Sequence, residues 1–194
     1  MVILHAPTWD GASQVSKHHL ARYWAASGRP VLYVEAPFHA LSFATRRGEA
    51  YRLWRRFRRG PQNVGPNLWV HVYPSVYPYR AGLPWAGSKW MVGLNQVVAR
   101  RRLPEVCHSL GFRKPVVMVG SPVYSDLISS LDPAMVVYHC SDDYSSQPTF
   151  PAGFAELETG LMDRSDLVIC TAEELRRAKD QLAATHQLHR VLHS

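Results

Sequence analysis

The chain is 194 residues long, enough for one domain with a full hydrophobic core. Hydrophobic residues make up 46% and charged residues 19%, which excludes a disordered tail and a coiled coil. Lys and Arg number 22 against 15 Asp and Glu, a formal net charge of +7. Most of that charge is local. The segment Arg46–Arg59 holds seven arginines and one acid, Glu49, so it carries +6 and leaves +1 for the rest of the chain. An anionic partner is expected for that segment alone. No apolar run approaches the ~18 residues of a membrane span. The opening MVILHAPTWD lacks the cationic region of a secretory signal. Cys107, Cys140 and Cys170 lie far apart with no C-x-x-C, which argues against a disulfide framework or a zinc ribbon. A reduced, cytoplasmic protein is expected.

In chain order, Val2–His5 reads as a strand, followed by a loop over Ala6–Ser13. Gln14–Ser27 reads as a helix, with Gly28 as its stop. Val31–Val34 is a second strand, closed by Glu35-Ala36-Pro37, so the first third forms a βαβ unit and predicts a parallel sheet. In Arg46–Arg59, Ala50, Leu53, Trp54 and Phe57 share one helix face, and Arg52, Arg55, Arg56 and Arg59 share the opposite one. Such a helix can pack on its own domain with a solvated arginine face. It can also lie on an anionic membrane surface through Trp54 and Phe57. Nucleic-acid binding is disfavoured, because no recognition module surrounds the single basic element.

Leu68–Val72 is a further strand, residues 74–89 an ordered loop, and Trp90–Leu110 a helix. Pro115–Val119 is an apolar strand of the kind buried on both faces. Ser121–Leu131 is short and helical or irregular, Met135–Tyr138 another buried strand, and His139–Pro148 a polar loop. Phe154–Met162 is a helix and Leu167–Cys170 a strand. The helix from Thr171 to Leu182 opens on Thr171-x-x-Glu174, a capping-box pattern. Arg190–His193 reads as one more strand. The expected fold class is α/β: one doubly wound, Rossmann-like domain spanning 1–194, with a mostly parallel sheet of six or seven strands and the basic helix 46–59 inserted.

Ligands of such sheets bind beyond the carboxyl ends of the strands, so the loops 6–13, 35–40, 120–125, 139–148 and 171–174 matter most. The first loop lacks G-x-G-x-x-G, and nothing matches a P-loop, which excludes the usual NAD and NTP sites. Asp10-Gly11 precedes a helix N-terminus, where backbone amides either take an anion or merely form a turn with Gly11 at positive φ. His18 and His19 point about 100° apart on a helix, so one faces the cleft and one packs or is solvated. The ten histidines show no H-x-x-x-H or H-E-x-x-H spacing, and no metal is expected. His139-Cys140-Ser141-Asp142-Asp143-Tyr144 brings an imidazole and two carboxylates to a strand end, a composition suited to deprotonating a hydroxyl.

Several stretches together resemble a known family. Trp9-Asp10-Gly11, Gln14, His19-Leu20-Ala21 and Gly28-Arg29-Pro30-Val31-Leu32-Tyr33-Val34-Glu35 resemble the N-terminal half of GT-B glycosyltransferases, where a helix of the form "HLA..LA..G" leads into a strand like "VLYVE". Tyr138–Asp143 is similar to the "YDCVDD" loop of bacterial members acting on cell-surface polysaccharides. Ser165–Leu175 looks like their "ADLVIATSEAL" junction, and Val191–Ser194 resembles the strand before their "NGVD" crossover. Val15 stands where an arginine is common, and His139 where many members have Asp.

The resemblance implies the acceptor-binding half of a family-4-like glycosyltransferase. Such an enzyme moves a sugar from a nucleotide-sugar donor to a lipid-linked saccharide or polysaccharide. No cofactor is expected on this half, and the donor is expected on a C-terminal domain that the chain does not include. Asp142 or Asp143 is the expected base, with His139 as the alternative. Asp10, Gly11, Gln14 and His18 or His19 are expected to line the acceptor or phosphate site. Arg52, Arg55, Arg56, Arg59, Trp54 and Phe57 are expected to meet anions or lipid at the inner face of the plasma membrane. The competing expectation is a non-catalytic membrane-docking subunit that recruits a separate donor-binding chain.

Overall fold

The computed structural model describes residues 1–11, 14–144, 150–151, 153–186 and 191–193, with side chains as far as Asp180. The elements in chain order are β1 (Val2–Ala6), α1 (Ser16–Ala26), β2 (Val31–Glu35), β3 (Phe38–His39), α2 (Ser42–Thr45), α3 (Arg47–Arg59), β4 (Gln62–Gly65), β5 (Leu68–His71) and β6 (Pro74–Ser75). There follow α4 (Lys89–Asn95), α5 (Val97–Ser109), β7 (Val116–Val119), a 3-10 helix (Pro122–Ser130), β8 (Met135–Cys140), α6 (Phe154–Asp163), β9 (Leu167–Cys170), α7 (Glu173–His186) and β10 (Val191–His193).

One eight-stranded sheet runs in the order β10-β9-β8-β7-β1-β2-β5-β4, and β3 and β6 form a separate parallel pair. Every pairing in the large sheet is parallel except β4 with β5. The architecture is mixed α/β around a mostly parallel sheet, compatible with a Rossmann-like fold. Apolar side chains alternate along each strand and feed two cores. Val2, Leu4, Val117, Val119, Val136 and Tyr138 pack with residues of α5, α6 and the 3-10 helix. Ile3, Tyr33, Met118 and Val137 pack with Ala21 and Ala25 of α1. Continuous apolar runs read correctly as strands because both faces are covered.

The differences from expectation have local causes. β4 is an edge strand held by backbone pairing to β5, and its Gln-Asn-Val-Gly sequence carries no alternating apolar signal. The helix expected over Trp90–Leu110 is broken at Gln96. There Asn95 spends its side chain on other backbone: its Oδ1 accepts from Val76 and Tyr77 N–H at 3.0 and 2.7 Å, and its Nδ2 donates to Tyr77 O at 2.8 Å. The capping box at Thr171 does not form; Thr171 N–H and Oγ1 both turn to Cys140 O, at 3.1 and 3.5 Å. Gly28 ends α1 at φ +81°, as its position demands. Arg190 of the last expected strand lies outside the described residues, as do Ser194 of the stretch Val191–Ser194 and 145–148 of the polar loop.

β8 runs two residues further than the apolar run suggests, to Cys140. His139 and Cys140 are therefore strand residues, and the pleat sends them to opposite faces. On the Cys140 face lies a sealed polar cluster. Lys179 Nζ meets Glu158 Oε2 at 2.9 Å with both side chains buried, Tyr138 OH donates to Glu158 Oε1 at 2.6 Å, and Asp143 Oδ1 stands 3.6 Å from Lys179. Removing one partner of such a pair strands the other charge. Glu158→Ala is expected to cost about 3–5 kcal/mol in urea unfolding. The double change Glu158→Leu with Lys179→Met is expected to recover most of it. An unchanged unfolding midpoint for Glu158→Ala would contradict the cluster's role.

Candidate functional site

The strand order reverses about β1, whose neighbours are β2 on one side and β7 on the other. At the carboxyl ends of these strands lies a cavity of about 560 Å³. β1 supplies His5 and Ala6, the start of α1 supplies Ser16 and Lys17, and the turn after β7 supplies Gly120 and Ser121. Ser141, Asp142 and Tyr144 follow β8, and Tyr79, Phe150 and Phe154 give aromatic walls. A second cavity, of about 740 Å³, shares His5, Ala36 and Tyr79 with the first and adds His39, Arg46 and Arg80. The two spaces thus abut along one rim.

One part of the first cavity's lining is built by close approach. Gly120 N–H donates to Leu4 O at 2.9 Å, joining β7 to β1. A Cβ on Gly120 would lie 2.5 Å from Lys17 Cε and 2.9 Å from His5 O, so no other residue fits without displacement. His5 takes φ +57°, a left-handed conformation that a non-glycine residue holds only where its surroundings impose it. Its ring is edge-on to Tyr124 at 5.3 Å.

Lys17 is 6% exposed. Its Nζ lies 3.3 Å from Ser141 Oγ, and Ser141 donates to Asp142 Oδ2 at 3.0 Å. Burial lowers the Lys17 pKa, with Asp142 and Cys140 pulling the other way. Burial, reinforced by the Lys17 charge, brings His5 and His139 each down to about 4. Both imidazoles are therefore neutral near pH 7.

The expected site residues separate. Asp142 lines the cleft, whereas Asp143 turns to Lys179. His139 faces away from Asp142 and borders, with His19, Tyr23 and Trp24, a different apolar groove of about 430 Å³ along α1. His18 is buried: its Nδ1 accepts from Val15 N–H at 3.1 Å, and its Nε2 lies 3.2 Å from Thr8 O and 3.1 Å from Tyr33 OH. That bonding requires the proton on Nε2 and pins the first loop to β2. Gly11 N–H closes a turn onto Thr8 O at 3.0 Å, without positive φ, and α1 starts only at Ser16. Gln14 binds Gly11 O and Arg22, and Asp10 lies 4.0 Å from Arg56.

α3 packs on its own domain. Ala50 is buried, and Phe57 stacks on His71 and meets Tyr73. Arg56 leaves the solvated arginine face: Glu35 is buried at the end of β2 and draws Arg56 Nη2 to 3.1 Å. Arg52, Arg55 and Arg59 are exposed, as is Trp54, which meets Phe38 and Phe43.

Sequence reasoning missed Lys17 and Tyr79; Ser121 and Tyr144 fall in the loops 120–125 and 139–148 it marked, without a role of their own. One signal for Lys17 was available: it is a cation in the first turn of a helix that has no acidic residue there, against the dipole preference. Among the described residues, no group of three or more His, Cys, Asp or Glu is placed to hold a metal. All three cysteines are buried, and no helix is long and apolar enough to cross a membrane among those residues. No protein-family model matches the chain, and no curated protein matches it either.

The neutral histidines set a pH dependence. His71 is also lowered to about 4, by burial beneath α3. Below the ordinary imidazole value of about 6.5 the unfolded chain takes up protons that the folded chain refuses until about pH 4. Stability therefore falls as pH drops through that window. Urea midpoints are expected to decrease from pH 7.5 to pH 5, and His139→Gln to reduce the decrease. A midpoint independent of pH across this range would contradict the burial of these rings.

Proposed function

We propose that the chain is the doubly wound, Rossmann-like acceptor-side domain of a GT-B glycosyltransferase of the family-4-like, bacterial surface-polysaccharide kind. The observation that carries this reading is Asp142, seated with Ser141 and Lys17 in the crevice beyond the ends of β1, β7 and β8. Such a crevice at the reversal of strand order is where open α/β sheets bind ligands. Its aromatic walls suit the apolar faces of a saccharide.

In this reading a second domain holds the nucleotide sugar over the cleft. Asp142 takes the proton of an acceptor hydroxyl. The freed oxygen bonds to the anomeric carbon as that carbon's bond to the donor phosphate oxygen breaks, and the nucleoside diphosphate leaves. Asp142 is preferred to Asp143, because Asp143 is committed to the Lys179 cluster. It is preferred to His139, because that imidazole opens onto the other groove.

The test uses the complete gene product, membrane extracts as acceptor and a panel of labelled nucleotide sugars. Asp142→Asn is expected to lower kcat by roughly 100-fold or more, the usual contribution of a general base. Asp143→Asn is expected to keep turnover and lose stability. Full turnover in Asp142→Asn, or no transfer from any donor, would overturn the assignment.

A second reading, a membrane-docking chain that recruits a separate donor-binding chain, rests on a different observation. Phe43 and Trp54 form an exposed aromatic pair at α3, and Arg52, Arg55 and Arg59 of that helix are exposed as well. Aromatic side chains among arginines suit an anionic lipid surface, and peripheral attachment at the inner face of the plasma membrane is compatible with either reading. The protein is expected to sediment with phosphatidylglycerol vesicles and not with phosphatidylcholine vesicles, less so as salt rises. Reversing Arg52 and Arg55 to Glu is expected to weaken binding by at least ~30-fold, at about 1 kcal/mol per charge removed. Equal binding to both vesicle types, or no effect of the reversal, would exclude this surface.

A further inference from the structure

Lys17 is the most unusual charge in the molecule. It is buried in the lining of a cavity, and among the described residues its one hydrogen bond is to Ser141 Oγ at 3.3 Å. An ammonium has three protons to donate. Among the described residues no carboxylate lies within 4.0 Å of Lys17 Nζ, and the remaining residues contain no Asp or Glu. The other buried lysine, Lys179, is met by both Glu158 and Asp143. A buried cation without a carboxylate is destabilising. The fold nonetheless makes room for it, since the missing side chain of Gly120 is what admits Lys17 Cε.

Among the described residues that line the cavity, Asp142 is the only carboxylate, and it already accepts from Ser141. The flanking imidazoles of His5 and His139 are uncharged near pH 7. Lys17 occupies the first turn of α1, so the unpaired N–H groups of that turn add their positive field at the same place. Away from Lys17 the cavity continues past Tyr79 to the space flanked by Arg46 and Arg80, both on the same rim.

We infer that Lys17 is the seat of an oxyanion, a phosphate or a carboxylate carried by the acceptor, and that the rest of the acceptor runs over Tyr79 toward Arg46 and Arg80. This rests on the acceptor-side reading of the cleft and adds the charge of the acceptor to it. Ser121 lines the same cavity and can donate its hydroxyl, whereas the Ser141 proton is held by Asp142. The aromatic wall of Tyr79, Tyr144 and Phe150 covers the uncharged part. Asp142, at the opposite side of Ser141, then faces a hydroxyl of the same molecule.

The probes are glucose 1-phosphate, glucuronate and glucose. They are titrated into the full chain labelled at lysine Cε and followed by NMR and calorimetry. Glucose 1-phosphate or glucuronate is expected to bind and to shift the Lys17 Cε signal, raising the pH at which that amine titrates. Uncharged glucose is expected to leave the signal in place. Lys17→Met is expected to weaken the charged probe by at least ~10-fold, the usual worth of a hydrogen bond to a charged group, and to raise thermal stability by removing the buried charge.

Preference for the phosphate or for the carboxylate names the source of the oxyanion. The signal shift in the unsubstituted chain keeps the test decisive even where Lys17→Met fails to fold. Binding of neither charged probe, or equal affinity in Lys17→Met, would overturn the inference. Transfer to uncharged acceptors that is indifferent to Lys17 would remove this inference and leave the glycosyltransferase reading intact. Oxyanion binding through Lys17 in a chain that transfers no sugar would do the reverse.

Discussion

The approach of β7 to β1 at Gly120 is the constraint on which the rest of the cleft depends. The Gly120 amide is bonded to Leu4 O, which brings the end of β7 against the end of β1. A side chain there would collide with His5 O and with Lys17. With glycine in place, the left-handed residue His5 and the stem of Lys17 can both lie against the end of β7. Strand order reverses at this point, so the connections leave in opposite directions and leave the space between them empty. The cavity follows from topology, and its chemistry follows from one absent Cβ.

Burial then sorts the charges. A parallel sheet covered on both faces has no solvated side on which to leave an ionised group, so each buried charge is matched or placed at an edge. Glu158 and Lys179 are matched beneath α6 and α7. Glu35 is matched by Arg56, which fastens the arginine helix to the end of β2 and takes one cation out of its solvated face. Lys17 is the exception, and it stands at the edge where ligands arrive. The histidines near it stay neutral, because burial and the Lys17 amine both disfavour a second charge there.

Much of the fold was legible because apolar runs such as Val31–Val34 and Pro115–Val119 have few alternatives to a doubly covered strand. What escaped notice depends on partners distant in sequence. β4, β3 and β6 are held by backbone pairing and carry little side-chain pattern. The break at Gln96 follows directly on Asn95, whose side chain is bonded to residues 76 and 77. Arg56 reads as solvated until Glu35 is placed under it. At the site, Asp142 was legible from its loop, but its difference from Asp143 was not. Lys17 reads as an ordinary surface lysine in a polar first turn, since its burial depends on Ser141, 124 residues away.

The separation of Asp142 from Asp143 ties fold to chemistry. Read as a loop, His139–Asp143 is a cluster of one imidazole and two carboxylates acting together. Extension of β8 to Cys140 breaks that cluster, because a pleated strand sends successive residues to opposite faces. His139 goes to the α1 side and Cys140 to the Glu158 side, and the chain leaves the sheet with Asp143 still bound to the sealed cluster. The anchoring of Asp143 is what lets Asp142 stand in the cleft with a defined neighbour, Ser141, between it and Lys17. Two adjacent carboxylates thus divide the work: one fixes where the chain leaves the sheet, and the other is presented, at that fixed point, to whatever enters the cavity.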